Sequence, residues 1–374
     1  MKKNVFDWII SLGFCLFLGG MLLLFLLLPE KGFSTNEKRY LAERPRLTVN
    51  SLLSGDFARQ AESYAADHLP GRDFFVGLNA RYDLLSGRQV TKEIYRGKSG
   101  RLYEAPVSPD DKEIERRMGV IRDFAEAVGR PVDFVLIPSA GFVLREDMPA
   151  LSDPYPDDAV IASAYALAGE RLRPIDLLSV FEAAPDRGSL YYRTDHHWTA
   201  AGACLACREI LSAVGRAAPA EERYQIRTVE GFYGTTYARS ALWDTSGETL
   251  ELWESGTAFS VENLDSPGVH EGLYYEERLT EADKYPVYLD GNHSLVRIRN
   301  LSGNGHGKLL LIRDSFSNCL GCFLAESYEE VVLADLRYWR TPVSELLTQE
   351  EFDDVMIVYS VSNFLTDSSL LGLE

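Results

Sequence analysis

The sequence predicts an α/β fold: a parallel sheet covered by helices, behind an N-terminal transmembrane helix. Apolar strand-like runs alternate with amphipathic helical patterns from about residue 106 onwards, and this alternation is typical of parallel sheets. A charge-free apolar segment precedes them at residues 8–28. A stretch rich in Tyr, Thr, Gly and Trp, residues 217–302, predicts a β-rich insertion of hairpins and loops into the α/β frame.

The segment 8–28 has the length and composition of a membrane-spanning helix. At about 1.5 Å per residue it reaches roughly 30 Å, the thickness of a bilayer's hydrocarbon core. Lys2 and Lys3 precede it, and the positive-inside rule then keeps the N-terminus in the cytoplasm. A cleaved signal peptide is the alternative, but no small-residue cleavage site ends the run. We therefore expect a single-pass cell-membrane protein with its catalytic domain extracytoplasmic.

The sequence divides into three regions. Residues 1–29 form the cytoplasmic N-terminus and the transmembrane anchor, and residues 30–105 form a stalk and an N-terminal subregion with one helix and one hairpin. Residues 106–374 form the α/β domain that contains the insertion. Its predicted strands are PVDFVLIPS, KLLLIRDS, EEVVLADL and DDVMIVYS. Its predicted helices include DDKEIERRMGVIRDFAEAVG, which starts with acidic residues and ends in glycine, and TAAGACLACREILSAVG.

Charge and cysteine content exclude some functions. The net charge of −18, without a run of Lys and Arg, argues against a nucleic-acid partner. Four of the five cysteines form two Cys-x-x-Cys pairs, at 204/207 and 319/322. Each pair lies in an apolar helical run, where positions i and i+3 share a face. We interpret them as small packing residues rather than zinc ligands, and leave a disulfide open.

A candidate nucleophile follows one of the predicted strands. In LLLIRDSFSN, Ser315 lies on the turn between a strand and a helix. In open α/β sheets, ligands bind beyond the carboxyl ends of strands, and a helix N-terminus favours negative charge there. This is a suitable place for a nucleophile whose intermediate carries an oxyanion. The alternative is that Asp314 and Ser315 only cap the helix.

The segment TDHHWT supplies a candidate base and its partner. Asp195 and His197 are two residues apart, so an extended or tightly turned backbone places them on one face within hydrogen-bonding reach. His196 would then point away, and Trp198 would cover the pair from water. Two alternatives remain: a helix cap formed by Asp195 or Thr199, and a metal site, which we rank third because adjacent residues rarely bind one ion together.

The motif TDHHWTAAGA resembles the signature of the DHHW family, which is similar to alginate O-acetylation proteins with SGNH-hydrolase-like catalytic domains. Further blocks that resemble the family, in the family's order, are FSTNEKRYLAERP, DHLPGRDFF, GKSGRLYE, FYGTTY, YPVYLDGNH and LLLIRDSFSN. In the alginate relatives the Asp-x-His pair precedes the serine block, as it does here. The resemblance therefore implies Asp195 as the residue that orients the base, His197 as the base and Ser315 as the nucleophile.

Other site residues are less well marked. The serine block reads RDSF, so Arg313 replaces the glycine of many relatives. Asn292 and Asn363 are candidate oxyanion donors; Asn363 follows the strand DVMIVYS, whereas Asn292 is alternatively a turn residue. Candidate substrate-binding residues are Tyr191, Tyr192, Trp198, Tyr233 and Arg313, of which the aromatic ones either stack on sugar rings or belong to the core.

These observations predict an SGNH-like esterase or O-acetyltransferase that acts on a cell-envelope or secreted polysaccharide through a Ser-His-Asp triad. We expect no cofactor and no metal, and a membrane protein that donates acyl groups as a further partner. Hydrolysis and transfer share the acyl-enzyme step, so the sequence does not separate them. The alternative function is a non-catalytic glycan-binding or scaffold component of the envelope.

Overall fold

The computed structural model describes residues 5–373, which form two compact units. Of the described residues, one unit contains 5–92 and Ala238–Asp244, and the other contains Glu93–Tyr237 and 245–373. Lys2 and Lys3, on which the predicted orientation depends, lie outside the described residues.

The first unit begins with the predicted apolar helix. Within it, Phe6–Leu27 is long and apolar enough to cross a membrane and packs against almost nothing. The secondary structure of the unit up to residue 92 comprises α1 (Val5–Leu27), β1 (Phe33–Ser34), β2 (Arg39–Tyr40), α2 (Val49–Leu53), α3 (Asp56–Asp67), α4 (Arg72–Leu85) and β3 (Val90–Thr91).

The second unit is built on an eight-stranded sheet, as the predicted α/β fold requires. Before the sheet, β4 (Ile94–Arg96) and β5 (Leu102–Glu104) pair as the predicted hairpin. The remaining strands are β6 (Val132–Ile137), β7 (Leu172–Ile175), β8 (Gln225–Phe232), β9 (Glu248–Glu254), β10 (Phe259–Asn263), β11 (Ser266–Glu271), β12 (Leu295–Asn300), β13 (Lys308–Arg313), β14 (Glu330–Ala334) and β15 (Asp354–Ser360). The sheet order is β11-β10-β12-β14-β13-β15-β6-β7, and from β14 to β7 all neighbours are parallel.

The stretch predicted as a β-rich insertion contributes to this sheet. β8 and β9 form a separate antiparallel pair, whereas β10, β11 and β12 extend the sheet antiparallel from its β14 edge. In β12 the apolar residues Val296 and Ile298 are buried, and between them Arg297 pairs with Glu330 of β14. Alternation of this kind lets an antiparallel strand bury one face and pair charges on the other.

Helices cover both faces of the parallel strands. Leu309 and Leu311 of β13 belong to one buried cluster, and Leu310 and Ile312 belong to a second on the opposite face. The unit's helices are α5 (Asp111–Val128), α6 (Ala140–Val143), α7 (Asp157–Ala166), α8 (Leu177–Ala183), α9 (Ala200–Ala213), α10 (Thr235–Ser240, continuing into the other unit), α11 (Ser317–Leu324), α12 (Val343–Gln349) and α13 (Val361–Thr366). These two buried layers confirm the predicted α/β class.

The two Cys-x-x-Cys pairs lie where those helices pack. Cys204 and Cys207 are on α9, Cys319 and Cys322 are on α11, and all four are buried free thiols in the same cluster. Burial raises the pKa of Cys204 to about 12, so its thiol keeps the proton. The arrangement agrees with their interpretation as small packing residues.

Candidate active site

Ser315 lies immediately beyond the carboxyl end of a central parallel strand. β13 is hydrogen-bonded to β14 on one side and β15 on the other, and its last residue is Arg313. The chain then turns through Asp314 and Ser315, and α11 begins at Ser317. A strand buried on both faces and followed by a tight turn thus brings the serine to the edge of the sheet where open α/β folds bind ligands.

The segment with Asp195 and His197 forms a closed turn before α9. Tyr191 and Trp198 face each other as an antiparallel bridge, and the backbone N–H of Tyr192 donates to the carbonyl of His197 at 3.2 Å. The hydroxyl of Thr199 caps α9 by accepting from the N–H of Gly202. Thr199 therefore caps the helix, which leaves Asp195 available for His197.

Three side chains form a continuous hydrogen-bonded chain. Asp195 Oδ1 lies 2.6 Å from His197 Nδ1, and His197 Nε2 lies 2.8 Å from Ser315 Oγ. The backbone N–H of His197 also donates to Asp195 Oδ1, at 2.9 Å. Asp195 and His197 are buried, whereas Ser315 keeps a small exposed fraction of 7%. This geometry lets His197 accept the proton of Ser315 while Asp195 sets the tautomer of the imidazole.

The other oxygen of Asp195 is held by the start of α10. Thr235 donates to Asp195 Oδ2 from its backbone N–H at 2.6 Å and from its hydroxyl at 3.0 Å. The residue before it, Gly234, approaches so closely that a Cβ there would lie 2.2 Å from the Cβ of Asp195. Both residues belong to the block FYGTTY, whose contact with Asp195 the sequence reasoning missed.

Burial and neighbouring charges set the protonation of the pair. Burial alone opposes the charge of Asp195, but the imidazoles of His197 and His196 outweigh it and hold the pKa of Asp195 well below its usual range. Burial lowers the pKa of His197, His196 lowers it further, and Asp195 offsets only part of the effect. His197 is therefore neutral at about pH 7 and able to accept a proton.

Aromatic rings hold the imidazole of His197 in place. Tyr285 stacks on it with ring centroids 4.0 Å apart and planes 9° apart, and Phe316 packs against it at 4.8 Å. Trp198, fully buried, donates its indole N–H to the carbonyl of Phe316 at 3.1 Å. Trp198 thus joins the segment that carries His197 to the turn that carries Ser315. Tyr285 belongs to the block YPVYLDGNH, whose contact with His197 the sequence reasoning missed.

Asp314 fixes the turn that carries Ser315 to the neighbouring strand β15. Its Oδ2 accepts from the backbone N–H and the hydroxyl of Ser360 and from the amide of Asn363, each at 2.8 Å. Its Oδ1 accepts from the N–H of Phe316 at 3.1 Å. The predicted oxyanion candidate Asn363 thus has an amide N–H bonded to Asp314, where it positions the turn that carries Ser315.

Asn292, the other oxyanion candidate, has a defined orientation. Its Oδ1 accepts from Arg313 Nη1 and from Asn318 Nδ2, both at 3.0 Å. Because both partners are donors, the oxygen faces them and the NH₂ group of Asn292 faces away. Asn292 is exposed, and Asn318 lies on the first turn of the helix that follows Ser315.

The prediction that His196 points away from the site is wrong. Its Nδ1 lies 2.7 Å from the hydroxyl of Thr235, and its ring centroid lies 3.8 Å from that of His197. Thr235 bridges Asp195 and His196, which explains the difference. Asp195, His196 and His197 are also the one cluster within residues 5–373 whose ligand atoms could hold a metal ion. The Nδ1 atoms of both histidines are already hydrogen-bonded, and a metal would have to displace these bonds. The absence of a metal stays a prediction.

Most of the predicted substrate-binding side chains are interior. Tyr191, Tyr192, Trp198 and Arg313 are all at most 2% exposed, and Tyr191 donates its hydroxyl to the carbonyl of Pro138. These four cannot stack on a sugar, because the chain around them already covers their surfaces. Tyr233 is partly exposed and stays a candidate.

Comparisons with known proteins agree with this architecture. A family model described as "SGNH hydrolase-like domain, acetyltransferase AlgX" matches residues 97–246, and one described as "DHHW protein" matches residues 181–334. Both ranges contain Asp195 and His197, and the second contains Ser315. A curated protein of Pseudomonas syringae pv. tomato, "Probable alginate O-acetylase AlgJ", is 25% identical over 197 residues. That match covers 48% of this chain and 49% of the relative, so the chain spans about half the relative's length.

Solved structures show the same fold. A DHHW family protein from Eubacterium siraeum has a TM-score of 0.65 at 20% identity, covering 75% of this chain and 95% of its own. PatB1 of Bacillus cereus has a TM-score of 0.64 at 22% identity, covering 75% of this chain and 99% of its own. These matches confirm the resemblance predicted from the sequence: the chain has an SGNH hydrolase-like fold and is similar to DHHW proteins and to the alginate O-acetylation proteins AlgX and AlgJ.

Proposed function

We propose that this protein is a membrane-anchored, extracytoplasmic O-acetyltransferase or acetylesterase that acts on a polysaccharide through a serine nucleophile. The observation that carries the proposal is the hydrogen-bonded chain from Ser315 through His197 to Asp195, at the carboxyl edge of the parallel sheet. The similarity to a curated alginate O-acetylase supports the acetyl group and the polysaccharide.

In the first half-reaction Ser315 Oγ attacks the carbonyl carbon of the acyl donor. Its proton passes to His197 Nε2, which is 2.8 Å away, and Asp195 stabilises the imidazolium that forms. The tetrahedral intermediate collapses, the bond to the donor's leaving group breaks, and that group takes the proton from His197. The product is an acetyl ester on Ser315.

In the second half-reaction a hydroxyl attacks the ester on Ser315. A sugar hydroxyl gives transfer and water gives hydrolysis, and in both cases His197 takes the attacking proton and returns it to Ser315 Oγ. For transfer, the donor would be a membrane acyl-donor protein beside the anchor. The outward NH₂ group of Asn292 is our candidate for stabilising the oxyanion.

The alternative of a non-catalytic glycan-binding module has less support. Three of the four aromatic residues proposed for sugar stacking, Tyr191, Tyr192 and Trp198, are buried, and Tyr233 alone is partly exposed. Ser315 is hydrogen-bonded to His197 rather than packed among apolar side chains.

Sulfonyl fluorides test the function directly. Phenylmethylsulfonyl fluoride should form a sulfonate ester on Ser315, with loss of fluoride and transfer of the serine proton through His197, as seen by peptide mass spectrometry. Ser315→Ala should stay unlabelled, and Ser317→Ala, which alters the neighbouring buried serine, should label like the wild type. Absence of labelling and of acetyl-ester cleavage in the wild-type protein would favour the binding module.

Topology gives a second prediction. Phe6–Leu27 is suited to cross the membrane, and Lys2 and Lys3 favour a cytoplasmic N-terminus. Protease added to intact cells with an accessible surface should digest residues 30–374 and spare only a short N-terminal fragment, while a cytoplasmic marker survives. Full protection of the chain would contradict this orientation.

The pH dependence gives a third prediction. Because burial and His196 lower the pKa of His197, acetyl-ester cleavage should fall at low pH with a midpoint below about 6.5, the ordinary value of histidine. His196→Gln removes one cause of the lowering and should move the midpoint upwards. The measurement is kcat/KM for a model acetyl ester against pH. An unchanged or lower midpoint in His196→Gln would contradict the assigned electrostatics.

A further inference from the structure

Helix α4 of the first unit carries an exposed stripe of apolar side chains along its length. Phe74, Phe75, Leu78, Tyr82 and Leu85 are 67%, 40%, 53%, 67% and 86% exposed. Steps of three and four residues place most of them on one face of a helix. A contiguous exposed apolar surface of this kind marks an interaction site in a soluble or membrane-associated protein.

The rest of α4 is already packed or polar. Ala80 is buried, a Cβ on Gly77 would lie 3.5 Å from the carbonyl of Ala241, and Arg81 pairs with Asp244. Asn79 lies on the polar side and is exposed. The helix therefore packs on its unit through one face and presents the stripe on another.

The start of α4 lies beside the end of the apolar helix α1. Phe25 of α1 contacts the ring of Tyr64 on α3, with centroids 5.9 Å apart, and Tyr64 donates its hydroxyl to Glu30 at 2.8 Å. α3 ends at Asp67 and α4 begins at Arg72. One cavity of about 550 Å³ is lined by both Leu28 and Gly71, so the two helix ends border the same space.

Charge also distinguishes this part of the chain. Residues 30–92 contain ten Lys and Arg against eight Asp and Glu, although the whole chain has a net charge of −18. The acidic excess therefore lies in the second unit. A juxtamembrane segment without that excess can approach an anionic lipid surface, which would repel the rest of the chain.

We propose that α4 lies in the membrane interface and inserts its stripe between the headgroups and acyl chains of the leaflet from which α1 emerges. An amphipathic helix with aromatic residues on its apolar face is suited to this position, and tyrosine is enriched at interfaces. The proposal rests on the membrane anchor of the proposed function and adds a second membrane contact. The first unit then rests on the bilayer through α1 and α4 together, an arrangement that we call the platform, rather than connecting to it by α1 alone.

Depth-dependent quenching tests the platform on the full chain. The chain carries Cys15→Ser and an environment-sensitive fluorophore on Leu78→Cys, or on Asn79→Cys as the matched control, and is placed in nanodiscs of phosphatidylcholine and phosphatidylglycerol. Lipids with a nitroxide near the headgroup should quench the label at 78 at least about twofold more than the label at 79. Tyr82→Cys against Asp83→Cys repeats the comparison one turn along.

Two controls make each outcome informative. The four other cysteines are buried, so a single label per chain shows that the variant is folded. A label on the native Cys15, near the middle of Phe6–Leu27, should be quenched by lipids with a nitroxide deep in the acyl chains. If the label at Cys15 is quenched and the labels at 78 and 79 are quenched equally, the platform proposal is contradicted while the membrane anchor is supported.

The remaining outcomes also decide the question. A blue-shifted label at 78 that no lipid nitroxide quenches would show that protein, such as a second copy of the chain, covers the stripe, and would overturn the proposal. If the label at Cys15 is not quenched, the membrane anchor is contradicted, and the platform proposal, which depends on it, is contradicted as well. Preferential shallow quenching at both 78 and 82 supports the platform.

Discussion

Ser315→Ala and His197→Ala should each lower the turnover of a model acetyl ester by about four orders of magnitude or more. The expected size follows from the geometry. Ser315 Oγ and His197 Nε2 are 2.8 Å apart, so loss of either atom removes the nucleophile or the acceptor of its proton. Turnover by purified protein, corrected for spontaneous hydrolysis, is the measurement.

The double variant identifies a catalytic unit more sharply than either single variant. If the two residues act in one step, Ser315→Ala with His197→Ala should be little worse than the worse single variant, because such effects are not additive. Asp195→Ala should cost about one to two orders of magnitude less, since an imidazole that is poorly oriented can still accept a proton.

A matched control lies two residues from the nucleophile. Ser317 is buried on the first turn of α11, and Ser317→Ala should retain most of the activity. Full activity in Ser315→Ala would end the enzymatic interpretation. Additive losses in the double variant would mean that Ser315 and His197 act in separate steps.

The local structure around Ser315 and around Asp195 and His197 was predictable because its signals are local. A continuous apolar run followed by Asp314 and Ser315 predicts a buried strand, a turn and a helix, whatever the strand's neighbours are. Likewise, the spacing between Asp195 and His197 is enough to place both on one face of a short turn. Their roles, by contrast, were implied by the family resemblance.

The supports of the site were not predictable, because they come from distant parts of the chain. Tyr285, which stacks on His197, belongs to the stretch predicted as an insertion of hairpins and loops. Thr235 binds Asp195 across forty residues of sequence, and a threonine at the start of a short helix carries no signal of such a contact. Trp198 lies in a polar motif, yet Phe181 and Phe316 bury it.

The strand partners in residues 217–302 show the same limit. Local alternation predicts that β12 is a strand but cannot name the strand that it pairs with. That partner is β14, which begins thirty residues after the end of β12. Only the tertiary fold determines that β10, β11 and β12 extend the parallel sheet.

Gly234→Ala should lower turnover by about a hundredfold, the cost of a misplacement of about 1 Å in a catalytic constellation. A Cβ at this position would lie 2.2 Å from the Cβ of Asp195 and 2.5 Å from its Cα. Neither atom is the end of a flexible side chain, so the backbone of one segment must move. Asp195 would then lose its alignment with His197.

Gly119→Ala is the matched control. Gly119 lies inside α5, and a Cβ there meets no atom within 4 Å. Alanine is favoured over glycine in a helix by roughly 1 kcal/mol, so this variant should keep full activity and unfold at a slightly higher temperature. Comparing the two variants separates the general effect of adding a methyl group from the contact with Asp195.

A double-mutant cycle tests whether Gly234 acts through Asp195. In an Asp195→Ala background the carboxylate is already absent, so adding Gly234→Ala should cost much less than about a hundredfold. The thermal unfolding temperature of each variant shows whether a loss of activity is caused by unfolding at the assay temperature. If Gly234→Ala folds and is fully active, or costs the same with and without the Asp195 carboxylate, the close approach does not align the base. The positioning of His197 would then depend on the stacked ring of Tyr285 and the packing of Phe316.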